Sequence, residues 1–310
     1  MSDFFTLPVL LGVIYSGIRF ATPYLFASIG ETFSQRSGVL NLGVDGIMLM
    51  GAYSGFYVAF NSGSLWLGLL AAALVGAVMG LMMAVISVTF QATQGISGIG
   101  LQMFGLGLST LLFTTTMGGV ETIVGFPPIK IPILSKIPYL GETLFSHNIL
   151  VYSAFLLVPI SNWVLNKTTF GLKVRAVGQS PQAADSLGVN VQTIRYITVI
   201  FGGVMAGIAG ASLSIALINV FQENLTSGMG FIAVALVYFG GWRPYGVLFG
   251  SLLFSFVTAL QQWVQVKEIA IPPDVAVMMP YILTIVVLAL SASRMTKPAA
   301  LTKKFQRGEA

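Results

Sequence analysis

Asn41 and Asp45 stand four residues apart at the head of an apolar run, so they share a face wherever that segment is helical. An amide and a carboxylate on one face can hydrogen-bond sugar hydroxyls or a base. An acid entering an apolar run is costly in lipid and turns towards a cavity or a partner. Lining a translocation path is therefore one reading. The other is structural: Asp45 stabilises the N-terminus of a broken helix or pairs with Arg36. Gln102, Asn219, Gln222 and Asn224 lie in or beside other apolar runs, where an amide either meets a solute or bridges helices. Glu31 and Arg36 bracket the Asn41 segment and are expected to form a structural ion pair. Arg19, inside an apolar run, snorkels or joins an acid such as Glu31. Phe126, Tyr238 and Trp242 could stack on a ring, but Trp242, beside Arg243 and Pro244, reads first as an interfacial anchor.

Covalent chemistry has few candidates. The chain has no cysteine and one histidine, His147, which excludes thiolate and multi-histidine metal sites. It has no Gly-x-x-x-x-Gly-Lys-Ser/Thr phosphate loop and no Gly-x-Ser-x-Gly elbow. The protein is expected to move a solute rather than convert it, and to bind no cofactor itself.

These residues need elements to hold them. Of 310 residues, 55% are hydrophobic and 8% charged, too few charges to cover a water-soluble globule. Apolar runs at about 4–29, 39–60, 65–90, 96–117, 149–165, 194–221, 229–239, 245–264 and 275–291 predict an all-α, polytopic transmembrane bundle of eight to ten spans in a single domain, 1–310. The first run contains Pro23 and reads as one tilted helix or two pieces; 229–239 is too short to span and reads as a half-helix. The start lacks the basic region of a cleaved signal, so the first run is expected to stay.

The loop at about 167–195 carries Lys167, Lys173, Arg175 and Arg195 against Asp185, and the tail at about 293–310 is also basic. Both are expected to be cytoplasmic, which places 118–148, despite Lys130 and Lys136, outside. Basic residues in such loops orient a membrane protein; nucleic acid is not an expected partner. Glycine-interrupted stretches at 38–46 and 226–230 each precede an apolar run, an echo typical of a transporter's binding region. Gly203-x-x-x-Gly207 and Gly76-x-x-x-Gly80 allow close helix packing, within this chain or against another.

Within the basic loop, Ser180 suits an N-cap, Pro181 the first helical position and Gly188 a left-handed stop. A two-turn helix is marginal alone. It either docks into a partner, with Ala183, Ala184 and Leu187 suited to close packing, or connects two spans on the membrane surface.

Gln182-Ala183-Ala184-x-x-x-Gly188 resembles the Glu-Ala-Ala-x-x-x-Gly coupling loop of ABC importer permeases, with Gln182 in place of the glutamate. Residues 31–52, Glu-Thr-Phe-Ser-Gln-Arg-Ser-Gly-Val-Leu-Asn-Leu-Gly-Val-Asp-Gly-Ile-Met-Leu-Met-Gly-Ala, resemble the signature of permeases that work with basic-membrane-protein-type lipoproteins. Residues 239–246 are similar to the same branch. Those permeases import nucleosides and are relatives of the ribose and branched-chain amino acid permeases. The similarity runs from about Arg19 to about Ala289. It implies a multi-pass subunit of a bacterial inner membrane, the shorter of two related permeases. Its implied partners are a cytoplasmic ATPase, often with two fused nucleotide-binding domains that hold ATP and magnesium, and an extracellular substrate-binding lipoprotein. Arg175, Pro181, Gln182, Ala183, Ala184, Leu187 and Gly188 would then couple to the ATPase. Two alternatives stay open: the same machine for a simple sugar or branched-chain amino acid, and an ion-coupled secondary transporter using Asp45 or Glu223.

Overall fold

The computed structural model describes residues 6–132, 135, 140–266, 273–291 and 297–306. All nine apolar runs are helices. They form α1 (Leu7–Arg36), α2 (Val44–Ser62), α3 (Leu65–Ala84), α4 (Gln94–Thr116), α6 (Ile149–Lys167), α9 (Val191–Ser212), α10 (Met229–Phe239), α11 (Pro244–Val266) and α12 (Pro273–Ser291). The short α5 (Leu140–Phe145), α7 (Thr169–Gln179) and α8 (Pro181–Ser186) lie in the connections. Among the described residues, six helices are long and apolar enough to cross a membrane. The chain is thus a multi-pass helical bundle. The first run is one continuous helix with Pro23 inside it, and α10 is the expected half-helix, eleven residues long.

The core is built on α9, which packs against α1, α2 and α3. In lipid no hydrophobic force drives helices together, so close van der Waals approach must hold them. The two small-residue faces supply it by meeting each other. A side chain at Gly203 would strike the Gly76 carbonyl, and one at Gly207 the Ala72 carbonyl. These faces pack within this chain. The opposite face of α3 carries Trp66, Leu67, Leu70, Leu74 and Val78, all more than half or half exposed, as suits contact with lipid tails.

α1 and α9 run antiparallel. The end of α1 meets the start of α9, where the Ser37 hydroxyl accepts from Thr198 Oγ1 at 2.8 Å. Near the middle of α1, Arg19 reaches the Leu217 carbonyl at 3.2 Å, at the close of a π-helical extension of α9, Leu213–Leu217. Each long helix is followed by a non-helical stretch and then by α2 or α10. The molecule therefore contains a helix–break–helix unit twice, in opposite directions. That arrangement brings the two glycine-interrupted stretches into one place.

At one end of the bundle, β1 (Ile129–Lys130) pairs antiparallel with β2 (Ser146–His147). Thr122 bridges to Val220, so the connection before α6 covers the break after α9. Lys130 faces Glu142 at 4.0 Å, both exposed, a pair worth little by itself. Of the loop's expected landmarks, Lys136 and Pro138 lie outside the described residues.

Candidate functional site

The site assembles where α2 and α10 begin. The chain before α10 turns sharply, with Asn224, Ser227 and Gly228 all in the left-handed region. Gly230 then lies directly on the Asp45 backbone, leaving no room for a Cβ, and its N–H donates to Asp45 Oδ1 at 2.9 Å. A carboxylate at a helix N-terminus satisfies an orphan N–H and the positive end of the helix dipole. Asp45 thus caps a helix distant in sequence, and it is fully buried. Gln102 of α4 and Thr226 flank the same carboxylate. Thr226 Oγ1 is buried beside that carboxylate. Thr226 also lines an open cavity of about 200 Å³ shared with Tyr24, Phe254, Gln261 and Tyr281.

The turn at 37–43 is organised from α1. Glu31 Oε1 accepts from Asn41 N at 2.9 Å and from Gln35 Nε2 at 3.0 Å. Gln35 Oε1 accepts from Trp242 Nε1 at 2.7 Å, while Arg36 Nε donates to the Trp242 carbonyl at 2.8 Å. Four expectations are corrected here. Glu31 and Arg36 are not an ion pair; Glu31 binds the Asn41 N–H and the Gln35 amide of its own helix, and Arg36 the Trp242 carbonyl. Arg19 does not reach Glu31. It covers the terminal carbonyl at Leu217 and lies 5.7 Å from the Tyr15 ring. Asn41 precedes α2 instead of lying in it, so it shares no helical face with Asp45; its Oδ1 accepts from Gly43 N at 2.8 Å. Trp242 is 3% exposed and packs edge-on against Tyr238, a buried strut rather than an interfacial anchor.

The other amides part company. Gln102 joins Asp45, but Asn219 and Gln222 lie in the break after α9. Asn219, with φ +63°, accepts from Ile123 N through its backbone carbonyl at 3.1 Å, and its buried Oδ1 has no partner. Gln222 and Glu223 are exposed. The sequence marks 226–230 as an echo of 38–46 but not as the partner of Asp45, 185 positions away, and it gives no sign of Gln35, whose contact with Trp242 spans 207 positions.

A second constellation occupies the opposite end of the bundle from the β hairpin. Thr168 caps α7, accepting from Gly171 N at 3.1 Å. α8 follows from Ser180, whose backbone is extended as a cap requires but whose hydroxyl makes no cap bond. Pro181 and Ala184 turn inward, whereas Gln182, Ala183 and Leu187 face outward, Leu187 at 86% exposure. Ala184 therefore seats the helix on its own bundle and is not free to pack in a partner. Gly188 is left-handed, φ +81°, with open space around it. Arg175 is half-buried and its Nε has no partner.

The tail closes over this end. Ala300 N donates to the Gly178 carbonyl at 2.9 Å, Thr302 N to that of Gly38 at 3.0 Å, and Gln91 Nε2 to that of Phe305 at 2.9 Å. Arg195, buried, donates from Nε to the Ser37 carbonyl and from Nη1 to that of Lys303, both at 3.2 Å. Sequence reading saw Arg195 only as a loop charge. In the structure it ties α9, the 37–43 turn and the tail into one body. A cavity of about 280 Å³ lies between 185–192 and Phe305. Arg294, Arg307 and Glu309 lie outside the described residues. Among the described residues, no three His, Asp or Glu side chains are grouped to hold a metal.

A family model described as branched-chain amino acid transport system, permease component, matches residues 13–288. The putative glucose ABC transporter permease protein TsgC13 of Haloferax volcanii is 36% identical, over 96% of this chain and 98% of its own. The nucleoside ABC transporter permease protein NupC of Lactococcus lactis is 36% identical, over 93% and 94%. The guanosine ABC transporter permease protein NupQ of Bacillus subtilis is 34% identical, over 97% and 98%. No solved structure matches.

Proposed function

The chain belongs to the branched-chain amino acid transport system permease family, and from that premise we propose that it is a translocation subunit of an ATP-driven ABC importer whose cargo is a nucleoside. The observation that carries the mechanism is α8: a short helix anchored inward by Pro181 and Ala184 that presents Gln182, Ala183 and Leu187 outward. A cytoplasmic ATPase grips this helix. Its closure on ATP moves α8 together with α7, the tail and the start of α9, to which α8 is joined. The α1–α2 and α9–α10 breaks then change the side to which the path is open. ATP supplies the difference in free energy between the two states, and this chain makes and breaks no covalent bond. α8 and the C-terminal tail are cytoplasmic, and the 118–148 connection faces outward towards a substrate-binding lipoprotein. A second, related permease completes the membrane unit.

A nucleoside is favoured by two relatives so named, and a simple sugar is the second reading because a third is named for glucose. Among the described residues, Glu223 is exposed and Asp45 caps α10, which weighs against an ion-coupled transporter built on either carboxylate. Uptake by vesicles holding the complete complex separates these readings. Tritiated guanosine is expected to enter only with internal ATP, to be displaced by other nucleosides and not by glucose or leucine, and to survive a proton ionophore. Ionophore-sensitive uptake at constant ATP would refute the reading.

A further inference from the structure

We propose that Arg36, Arg175 and Arg243 form a binding site for the phosphate of an anionic membrane phospholipid, at the end of the bundle that carries α8 and the tail. The inference goes beyond the functional reading above and does not depend on the cargo.

Three separate elements bring the arginines together. Arg36 ends α1, and its Nε donates to the Trp242 carbonyl at 2.8 Å, which sets it beside Arg243, the residue before α11. α7 crosses the same point: a Cβ at Gly178 would strike the Arg36 carbonyl. Arg175 lies three residues earlier on α7, so it shares the face that meets α1. Arg36 is accordingly within electrostatic reach of both other arginines. Among the described residues, no carboxylate lies within ion-pairing distance of any of the three. Glu31, farther back on α1, is buried and already accepts from Asn41 and Gln35. Like charges gathered in this way repel one another. Arg175 Nε is also buried with no hydrogen-bond partner, and the Arg36 side chain, among the described residues, bonds only through Nε. A buried unpaired N–H is costly. One phosphate removes both costs, because its oxygens accept several guanidinium N–H groups at once.

The surroundings select a lipid as the source of the phosphate. α11 starts at Pro244, and Tyr245, Phe249 and Leu253 follow at four-residue spacing, all between 40% and 69% exposed. They make an apolar strip that runs from the arginines towards the middle of the membrane. Acyl chains can lie along this strip while their phosphate meets the guanidinium groups. Tyr245, at the head of the strip, suits the level of the headgroups. Basic pockets between helices at the cytoplasmic side of a membrane hold anionic headgroups by the same means. Bound there, the phosphate joins the ends of α1 and α7 to the 240–243 turn, the pieces that surround residues 37–43.

The probe is phosphatidylglycerol, with phosphatidylcholine as the neutral lipid. The chain, purified with whatever companions it carries, is placed in nanodiscs of either lipid. Phosphatidylglycerol is expected to raise its melting temperature and to stay bound through detergent washing, read by native mass spectrometry. Arg175→Gln with Arg243→Gln is expected to weaken phosphatidylglycerol binding about thirtyfold, roughly fivefold for each arginine, and to remove most of the thermal shift. Arg175→Lys with Arg243→Lys keeps the charge and should bind within about fivefold of wild type. Lys173→Gln with Lys297→Gln removes two exposed charges at the same end and should change nothing. The melting temperature in phosphatidylcholine reports whether each variant folds. Arg243→Gln alone, at an exposed position, supplies the fivefold step if the pair does not. Wild-type binding by a folded glutamine variant overturns the proposal. Inorganic phosphate producing the same arginine-dependent shift in phosphatidylcholine overturns the lipid assignment in favour of a soluble anion. Loss of a companion protein from the glutamine pair, with phosphatidylglycerol retained, overturns the proposal and assigns the arginines to an acidic protein surface.

Discussion

Glu31 shows how a charge that reads as half of an ion pair becomes the anchor of a turn. Its carboxylate binds the Asn41 N–H and the Gln35 amide, and through Gln35 it reaches Trp242. Removing it leaves a buried N–H and a buried amide unsatisfied, at about 1–3 kcal/mol for each group. Glu31→Ala is therefore expected to lower the unfolding free energy of the purified complex by about 2–6 kcal/mol. Glu31→Gln keeps an acceptor oxygen and should lose less than half as much; equal losses in a denaturant titration would contradict this role. Gln102 and Asp45 could be suspected from the sequence because a polar group in an apolar run needs a reason. Thr226 and Gly230 stood out only as part of the 226–230 echo, since a threonine and a glycine in a loop do not name their partner. Asn41 misled because four-residue spacing implies a shared face only inside a helix, and the helix starts three residues later.

At the scale of elements, the apolar runs predicted where helices lie, and Pro181 and Gly188 bounded α8 correctly. Which face of α8 turns inward was not legible, because six residues carry too short a pattern. A bulky residue at Gly188 must adopt φ +81°, strained by about 1–3 kcal/mol. Gly188→Val is expected to distort the α8–α9 joint, so that ATP hydrolysis by the complex continues while uptake falls at least tenfold. Unchanged uptake would show that this joint does not transmit the stroke. At the other end, His147 is buried against Tyr15, 4.8 Å between rings, and its Nε2 pairs with the Thr143 carbonyl at 3.0 Å. Burial, with Arg19 nearby, holds its pKa below the usual histidine value, against the pull of that carbonyl. The neutral ring is thus favoured in the fold. Its stabilisation is present above the unfolded pKa of about 6.5 and is lost as pH falls through the folded pKa. The melting temperature is expected to fall between pH 7 and pH 5, and His147→Gln to flatten that slope; an unaltered slope would refute it.

Across the whole molecule, two antiparallel helix–break–helix units place both breaks in a common core, and the tail locks one end of it. Composition revealed a membrane bundle, and the two glycine-interrupted stretches hinted at paired breaks. Sequence could not reveal that Asp45 of one unit caps the half-helix of the other, because that contact depends on the antiparallel passage of α1 and α9. The tail's role was equally hidden: its bonds run through backbone carbonyls at Gly38, Gly178 and Lys303, which any sequence supplies. The central claim is that this bundle is a subunit, moved by a partner that grips α8. The most direct test is purification of the tagged chain from its native membrane in mild detergent, with its companions identified by mass spectrometry. The account predicts recovery of an ATPase and a second permease, with the ATPase lost when Leu187 is replaced by Asp. Recovery of this chain alone, under conditions that keep a known ABC complex intact, would contradict it.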